Sequence, residues 1–313
     1  MASDRASCRV GYLGPEGTFT EQALLTQADL AAGELVMLPS IPEVLAATAS
    51  GAVDVGFVAI ENAIEGSVNI TIDVLAFDTD LLIQREVVIP VELCLITLPG
   101  VPLDAIDTVM SFPHASAQCQ RFLAEAVPGV RLQATNSTAE AARLIAEQRT
   151  RSAAAIGTAR AAEVYGLEVA RAGIEDHPEN ATRFVVVARE GVPPATGHDK
   201  TSIVVFQRAD APGSLLAILQ EFAARSINLS KLESRPTKRG LGDYCFLIDL
   251  EGHIADEVVA DALRNLKMKQ ADVKFLGSYP AAGEHGPAVR EEASAAWEAA
   301  ARWVEGLRAQ IRR

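Results

Sequence analysis

A chain of 313 residues can hold two or three domains, and a composition of 49% hydrophobic and 22% charged residues is ordinary for a globular protein. A net charge of −13 makes nucleic acid and anionic membranes poor partners. Met1 to Val10 has no apolar core like that of a signal peptide, and no run of about 18 apolar residues occurs, so a cytoplasmic protein is expected. The four cysteines (Cys8, Cys94, Cys119, Cys245) lie far apart with no CxxC pair, which argues against a zinc site or a disulfide framework and fits a reducing compartment.

The first part of the chain alternates strands and helices. Cys8 to Leu13 reads as a short apolar strand. Thr18 and Glu21 form a Thr-x-x-Glu capping box, which predicts a helix ending near Gly33. Ser40 and Glu43 repeat the box before a helix ending at Gly51. Val53 to Ile60 is a β-branched run that predicts a buried strand, and Leu82 to Leu98 is a long extended stretch broken at Pro90. Thr108 to Phe112 predicts a strand, Ala115 to Ala126 a helix, and the Ser137/Glu140 box a helix to about Gln148. Ala153 to Ile156 and Arg183 to Arg189 complete the strands. This order implies α/β layers built on parallel sheets.

Gly191 to Lys200 holds two prolines and two glycines and reads as a linker. Beyond it come a strand (Ser202 to Gln207), a helix (Gly213 to Arg225), two strands (Ile227 to Glu233, Tyr244 to Leu250), a helix (Glu257 to Leu266) and a strand (Val273 to Tyr279). That βαββαβ order is the α+β ferredoxin-like split unit. After Pro280 a Gly/Pro/Glu hinge leads to a helix candidate from Glu291 to Ile311. There Trp297, Ala301, Val304, Leu307 and Ile311 form one apolar stripe, which suits packing on the same chain or a subunit contact.

Four segments could carry chemistry. Gly11 to Ala23 (GYLGPEGTFTEQA) is a glycine-rich strand-to-helix turn, able to face an anion or simply to connect two elements. Ile60 to Val68 (IENAIEGSV) crowds a carboxylate, an amide and a glycine at the end of a buried strand, where open α/β sheets bind ligands. Glu61 could orient Asn62, and Asn62 could bond a substrate oxygen; a capped turn is the bland reading. Ser111 to Gln118 (SFPHASAQ) offers Ser111 and Gln118 as neutral donors. Its His114 is a tempting base, but a lone His near a helix start is more often solvated or structural. Asn180 to Phe184 (NATRF) offers the Thr182 hydroxyl and the Arg183 cation, which could pair with a carboxylate or serve as a surface ion pair.

In order and spacing these segments resemble the motifs of the prephenate dehydratase family. So do Ser137 to Ala142 (STAEAA), and two later segments, Pro212 to Leu215 (PGSL) and Glu233 to Pro236 (ESRP), look like the phenylalanine-binding motifs of that family's ACT domain. The resemblance covers about residues 8 to 280. It implies a catalytic region at 8–190 with two α/β lobes like a periplasmic binding protein: one at about 8–78 plus 176–190, the other at about 79–175. It further implies a linker at 191–200, an ACT regulatory domain at 201–280 and a C-terminal tail at 281–313.

The implied reaction expels CO2 and water from prephenate to leave phenylpyruvate. Aromatisation drives it, so no cofactor is expected. By resemblance Thr182 is the donor to the leaving hydroxide. Asn62, Ser111 and Gln118 line the pocket, Glu61 orients them, Arg183 pairs with a substrate carboxylate, and Phe184 joins it in binding the substrate. The effector site would use Gly213, Ser214, Leu215, Asn228, Glu233, Ser234, Arg235 and Pro236 to bind L-phenylalanine as feedback inhibitor. A homodimer or homotetramer is implied. Two positions depart from the family pattern: Ala63 replaces a usual Ser, and Phe112-Pro113-His114 stands where His-Pro-Gln is common. Ala63 could leave room for arogenate. The rival readings are a decarboxylase that does not aromatise the ring and a non-enzymatic amino-acid sensor.

Overall fold

A computed structural model of the chain describes residues 8–207, 211–238, 243–270, 272–283, 299 and 302–310. Its described elements fall into two compact units. The first comprises residues up to Val74 together with Val87–Val187, and it carries two sheets.

The first sheet is built from β1 (Arg9–Leu13), β2 (Glu34–Leu38), β3 (Val55–Asn62), the short β4 (Gly66–Ser67), β5 (Leu82–Pro90) and β11 (Ala181–Ala188). Its order is β2-β1-β3-β11-β5, with β4 on β3. The second sheet uses β6 (Cys94–Thr97), β7 (Thr108–Ser111), β8 (Arg131–Ala134), β9 (Ala153–Gly157) and β10 (Glu168–Arg171), in the order β10-β6-β9-β7-β8. Each sheet defines one lobe. Both are mixed, not purely parallel. β1 lies parallel to β2 and β3, and β7 parallel to β8 and β9, whereas β11 runs antiparallel to β3 and β6 antiparallel to β9. The antiparallel partners are the strands that leave or re-enter a lobe where the chain crosses to the other sheet. For the same reason β5, expected in the second lobe, flanks β11 in the first sheet instead.

All three predicted N-caps form. Thr18 Oγ1 accepts from Glu21 N, Ser40 Oγ from Glu43 N and Ser137 Oγ from Glu140 N, at 3.3, 3.3 and 3.0 Å. They start α1 (Phe19–Leu25), α3 (Ile41–Ser50) and α7 (Thr138–Gln148). The helix expected to run to Gly33 breaks at Thr26 into α1 and α2 (Ala28–Ala31), because the Thr26 hydroxyl and N–H both turn back to the Ala23 carbonyl. α4 (Asn69–Asp73) follows β4. The single helix expected over 115–126 is α5 (Pro113–Ala117) and α6 (Gln120–Ala126), and α8 (Ala159–Tyr165) follows β9. β9 is buried along its length: Ala154 and Ile156 join Leu95, Val109 and Leu123 on one side, while Ala153 and Ala155 join Ile96, Ala141 and Ile145 on the other. A strand covered on both faces needs a continuous run of small or apolar residues, as AAAIG provides.

The second unit contains Leu75–Glu86 and the chain from Ala188 onward. β12 (Asp199–Phe206), α9 (Ser214–Ala223), β13 (Leu229–Pro236), β14 (Tyr244–Glu251), α10 (Glu257–Lys269) and β15 (Asp272–Pro280) make an antiparallel sheet of order β13-β14-β12-β15. This is the expected βαββαβ unit, with Ile203, Val205, Phe222, Ile248, Val259 and Leu266 forming one core between sheet and helices. Helices cover only one face of such a sheet, so the other needs a cover. Segment 75–86, outside the expected 201–280 boundary, belongs to this unit: Gly277 packs so tightly on Ile83 that a Cβ there would meet the Ile83 carbonyl at 2.4 Å. Lys200 Nζ pairs with the buried Glu86 at 2.9 Å. β12 starts at Asp199, whose buried carboxylate accepts from the Thr196 and Gly197 N–H groups, so the last two residues of the expected linker are strand.

Of the expected tail stripe, Trp297, Ala301 and Ile311 lie outside the described residues; residues 302–308 are helical, with Val304 and Leu307 exposed.

Candidate active site

A cavity of about 320 Å³ opens within the first unit and is lined from both lobes. The β3–β11 ladder builds one wall. Its register sets Thr182 opposite Asn62 and Arg183 opposite Glu61. Asn62 Nδ2 donates to Thr182 Oγ1 at 2.9 Å and to the Ala181 carbonyl at 3.3 Å. The Asn62 carbonyl oxygen in turn accepts from Ile64 N and Glu65 N, each at 3.0 Å. The amide is thereby fixed in one orientation. Because Thr182 Oγ1 already accepts from Asn62, its own proton is free to be donated into the cavity.

A second wall comes from the turn between α5 and α6. Gln118 Nε2 donates to Glu65 Oε1 at 3.4 Å, and Gln118 Oε1 accepts from Asn180 Nδ2 at 3.0 Å. His114 Nδ1 lies 2.8 Å from Glu65 Oε2, and its ring stacks on Phe112 with centroids 5.2 Å apart. On the second-lobe side Asn136, Ser137 and Thr138 bring in the N-terminal turn of α7, an 11-residue helix whose first N–H groups and dipole favour an anion. Thr18, Phe19 and Thr20 close the first-lobe side.

The expected residues divide sharply. Thr182, Asn62 and Gln118 meet at the cavity. Ser111 does not: it is fully buried on β7, and its hydroxyl donates to the Ile156 carbonyl of neighbouring β9 at 2.8 Å. Arg183 and Glu61 do not line the cavity either. They pair with each other at 3.3 Å, because successive strand residues point to opposite faces. Phe184, expected to bind substrate, is a core residue stacked on Phe57 at 5.2 Å and does not line the cavity. Among the described residues lining the cavity there is no Lys or Arg, and Glu65 is the one carboxylate. The residues not anticipated are Glu65, Asn180 and the Asn136–Thr138 turn. The Ser137 box marks a helix start, and the structure adds what the sequence reading lacked, the strand β8 before it, so that the turn lies where α/β sheets collect ligands.

In the second unit Gly213 is the N-cap of α9 at φ +85°, with open space where a Cβ would stand, and Ser214 Oγ accepts from Gln207 Nε2 at 2.8 Å. Leu215 packs against the core beneath the helix. Glu233 and Arg235 share the half-buried face of β13, 3.5 Å apart, while Ser234 and Pro236 occupy its exposed face. Asn228 donates to Glu251 at 2.8 Å.

All four cysteines are free thiols; burial pushes Cys94 up to about 11 and Cys119 up to about 12. Among the described residues no helix is long and apolar enough to cross a membrane, and no cluster of three His, Cys, Asp or Glu could hold a metal.

Comparison with known proteins fits this architecture. The family model described as prephenate dehydratase matches residues 10–192, and that of the ACT domain matches 201–267. A prephenate dehydratase of Mycolicibacterium gilvum is 43% identical, with 96% of this chain and 98% of that protein covered. The crystal structure of a prephenate dehydratase from Arthrobacter aurescens in complex with L-Phe is 38% identical with a TM-score of 0.88, over 96% of this chain and 99% of that one. A structure described as a novel type of quorum quenching acylase is 28% identical with a TM-score of 0.79, over 88% of this chain and 98% of that one. With a family model spanning more than half of its length and relatives matched nearly end to end, this chain belongs to the prephenate dehydratase family.

Proposed function

We infer that this chain converts prephenate to phenylpyruvate with loss of CO2 and water, and that L-phenylalanine inhibits it through the ACT domain. One observation carries the catalytic half: Thr182 Oγ1 accepts from Asn62 at the cavity wall, which leaves the Thr182 O–H as a donor for a leaving group. The C–C bond to the departing carboxylate breaks, its electron pair moves through the ring, and the C–O bond to the ring hydroxyl breaks. Hydroxide leaves and is protonated by solvent. Thr182 is too weak an acid to give up its proton first. It donates a hydrogen bond that strengthens as negative charge grows on the oxygen, which is how a donor lowers the barrier without tightening ground-state binding.

The neutral relay Asn180–Gln118 supports the same wall. With Arg183 held by Glu61, the α7 N-terminus is our choice for receiving a carboxylate of the substrate. The Glu61–Arg183 pair locks the register that sets Asn62 against Thr182.

The regulatory half rests on the Gly213 turn, where backbone can approach an amino-acid carboxylate, and on the Glu233–Pro236 strand end. A homodimer or homotetramer in the cytosol suits the edge strand β13 and the free thiols.

The test is prephenate turnover by purified protein, read as phenylpyruvate in base, with and without L-phenylalanine. Turnover suppressed by phenylalanine supports both halves. Turnover without suppression leaves the ACT domain structural. Consumption without phenylpyruvate indicates a non-aromatising decarboxylase. No consumption directs the search to arogenate, to an acyl-amide substrate or to a sensor.

A further inference from the structure

The chain passes between the two lobes twice, from β5 into β6 and from β10 into β11. The two crossings are bonded side by side: Val91 N donates to the Asn180 carbonyl at 2.8 Å. Val91, Leu93 and Asn180 also line the cavity, so the crossings form the hinge side of the cleft. Two strands side by side leave the lobes free to rotate unless something else ties them.

Such a tie is present in the GPEGTFTEQ loop. Thr158, the fully buried N-cap of α8 in the second lobe, donates through Oγ1 to the Gly17 carbonyl of the first lobe at 2.7 Å. Arg160 Nη2 donates to Glu21 Oε1 at 3.2 Å, and Tyr165 OH donates to the Glu16 carbonyl at 3.1 Å. Glu21 is 5% exposed, and its other oxygen accepts from Gly17 N. Gly17 sits at φ +84°, and a Cβ there would meet Ala161 Cα at 2.9 Å. The approach is thus close enough to require glycine. Separating the lobes would break the charge-assisted Arg160 bond and leave the Glu21 carboxylate with the Gly17 N–H of its own lobe. The next residues, Thr18 to Thr20, line the cavity, so whatever fixes this loop fixes that wall.

We propose that Glu21 and Arg160, with Gly17 and Thr158, form a latch between the lobes that holds the cleft at its working width before substrate arrives. They are positioning residues for the reaction inferred above, and the proposal rests on that reading only for its kinetic arm. A preset cleft means that substrate affinity is not divided by the fraction of closed molecules; a latch opened in nine molecules of ten would raise apparent KM about tenfold with kcat retained.

Two variants separate the latch from a simple field effect. Arg160→Met removes a cation and Glu21→Gln removes an anion, so a long-range effect on an anionic substrate would move KM in opposite directions. The latch raises KM in both, by about tenfold, with kcat within about threefold and with Arg160→Lys recovering most of the loss. The second readout is independent of activity: spin labels at Ala46→Cys and Glu125→Cys, on exposed helix positions of different lobes, in a Cys8→Ser background of the full chain. The wild-type pair gives one narrow distance distribution, and Glu21→Gln broadens and lengthens it. An unchanged distribution, or a KM that falls or stays put in Glu21→Gln, overturns the latch. If the wild type turns over no prephenate, the reaction assignment fails while the distances still decide the latch.

Discussion

The two faces of the β3–β11 ladder carry opposite chemistry one residue apart. Toward the cavity stand Asn62 and Thr182, uncharged, joined by a single bond that leaves a proton to spare. Away from it stand Glu61 and Arg183, charged and satisfied by each other. A leaving hydroxide needs a donor whose hydrogen bond can tighten as charge develops, and a fixed ion pair cannot supply that without losing its partner. In a Thr-Arg-Phe run the most strongly charged side chain need not be the one that meets the substrate. On the reading proposed above, the cation would keep the strands in register and the hydroxyl would serve the chemistry.

The largest effect is expected from Thr182→Ala. Loss of one preorganised donor costs about 2.7–4 kcal/mol, so turnover should fall roughly 100- to 1000-fold with circular dichroism and melting unchanged. Near-normal turnover would remove Thr182 from its role. Asn62→Ala comes next. It frees Thr182 from its orienting bond, and kcat should drop about 10- to 100-fold, consistent with about 1–3 kcal/mol for one hydrogen-bond partner lost in a partly buried site. A fall confined to KM would show that Asn62 only binds.

Arg183→Met examines the other face. Breaking a fully buried pair costs about 3–5 kcal/mol, but Glu61 is a third exposed, so about 1–3 kcal/mol of stability is expected, seen in urea unfolding. KM should stay within about threefold of wild type, a bound that a lost substrate carboxylate contact would exceed.

The smallest effect lies in the second unit. Glu221 is held below its ordinary value of 4.5, chiefly by the Lys269 hydrogen bond and then by Arg225. A depressed folded value means that its stabilisation is fully present above 4.5 and is lost as pH falls through the lower folded value. Glu221→Gln should therefore flatten the acid limb of the unit's stability curve. An unchanged acid limb would mean that other carboxylates set it.

Much of this was legible from local pattern. Thr18, Ser40 and Ser137 each announce a helix through a partner three residues on, and such short-range chemistry survives any tertiary context. The βαββαβ order of the second unit is equally local. What could not be read is pairing at a distance. Asn62 and Thr182 are 120 residues apart, and nothing in either segment states their register. Leu82–Pro90 shows that it is extended but not which sheet it joins. Ser111 reads as a donor until β9 arrives beside it and takes its proton at the Ile156 carbonyl. Alternation alone does say that Thr182 and Arg183 cannot both face one cavity, and that signal was available. Choosing between them needed to know which face Glu61 occupies.

Thr182 and Arg183 are proposed to divide the work between chemistry and register. That division is tested most directly by one number, the ratio of kcat/KM for prephenate between Thr182→Ala and Arg183→Met, measured side by side on folded protein. The Thr182 variant is expected to be the poorer enzyme by at least about 30-fold. A ratio near one, or an Arg183 variant that is the more damaged of the two through KM, would contradict it and return the cation to the substrate.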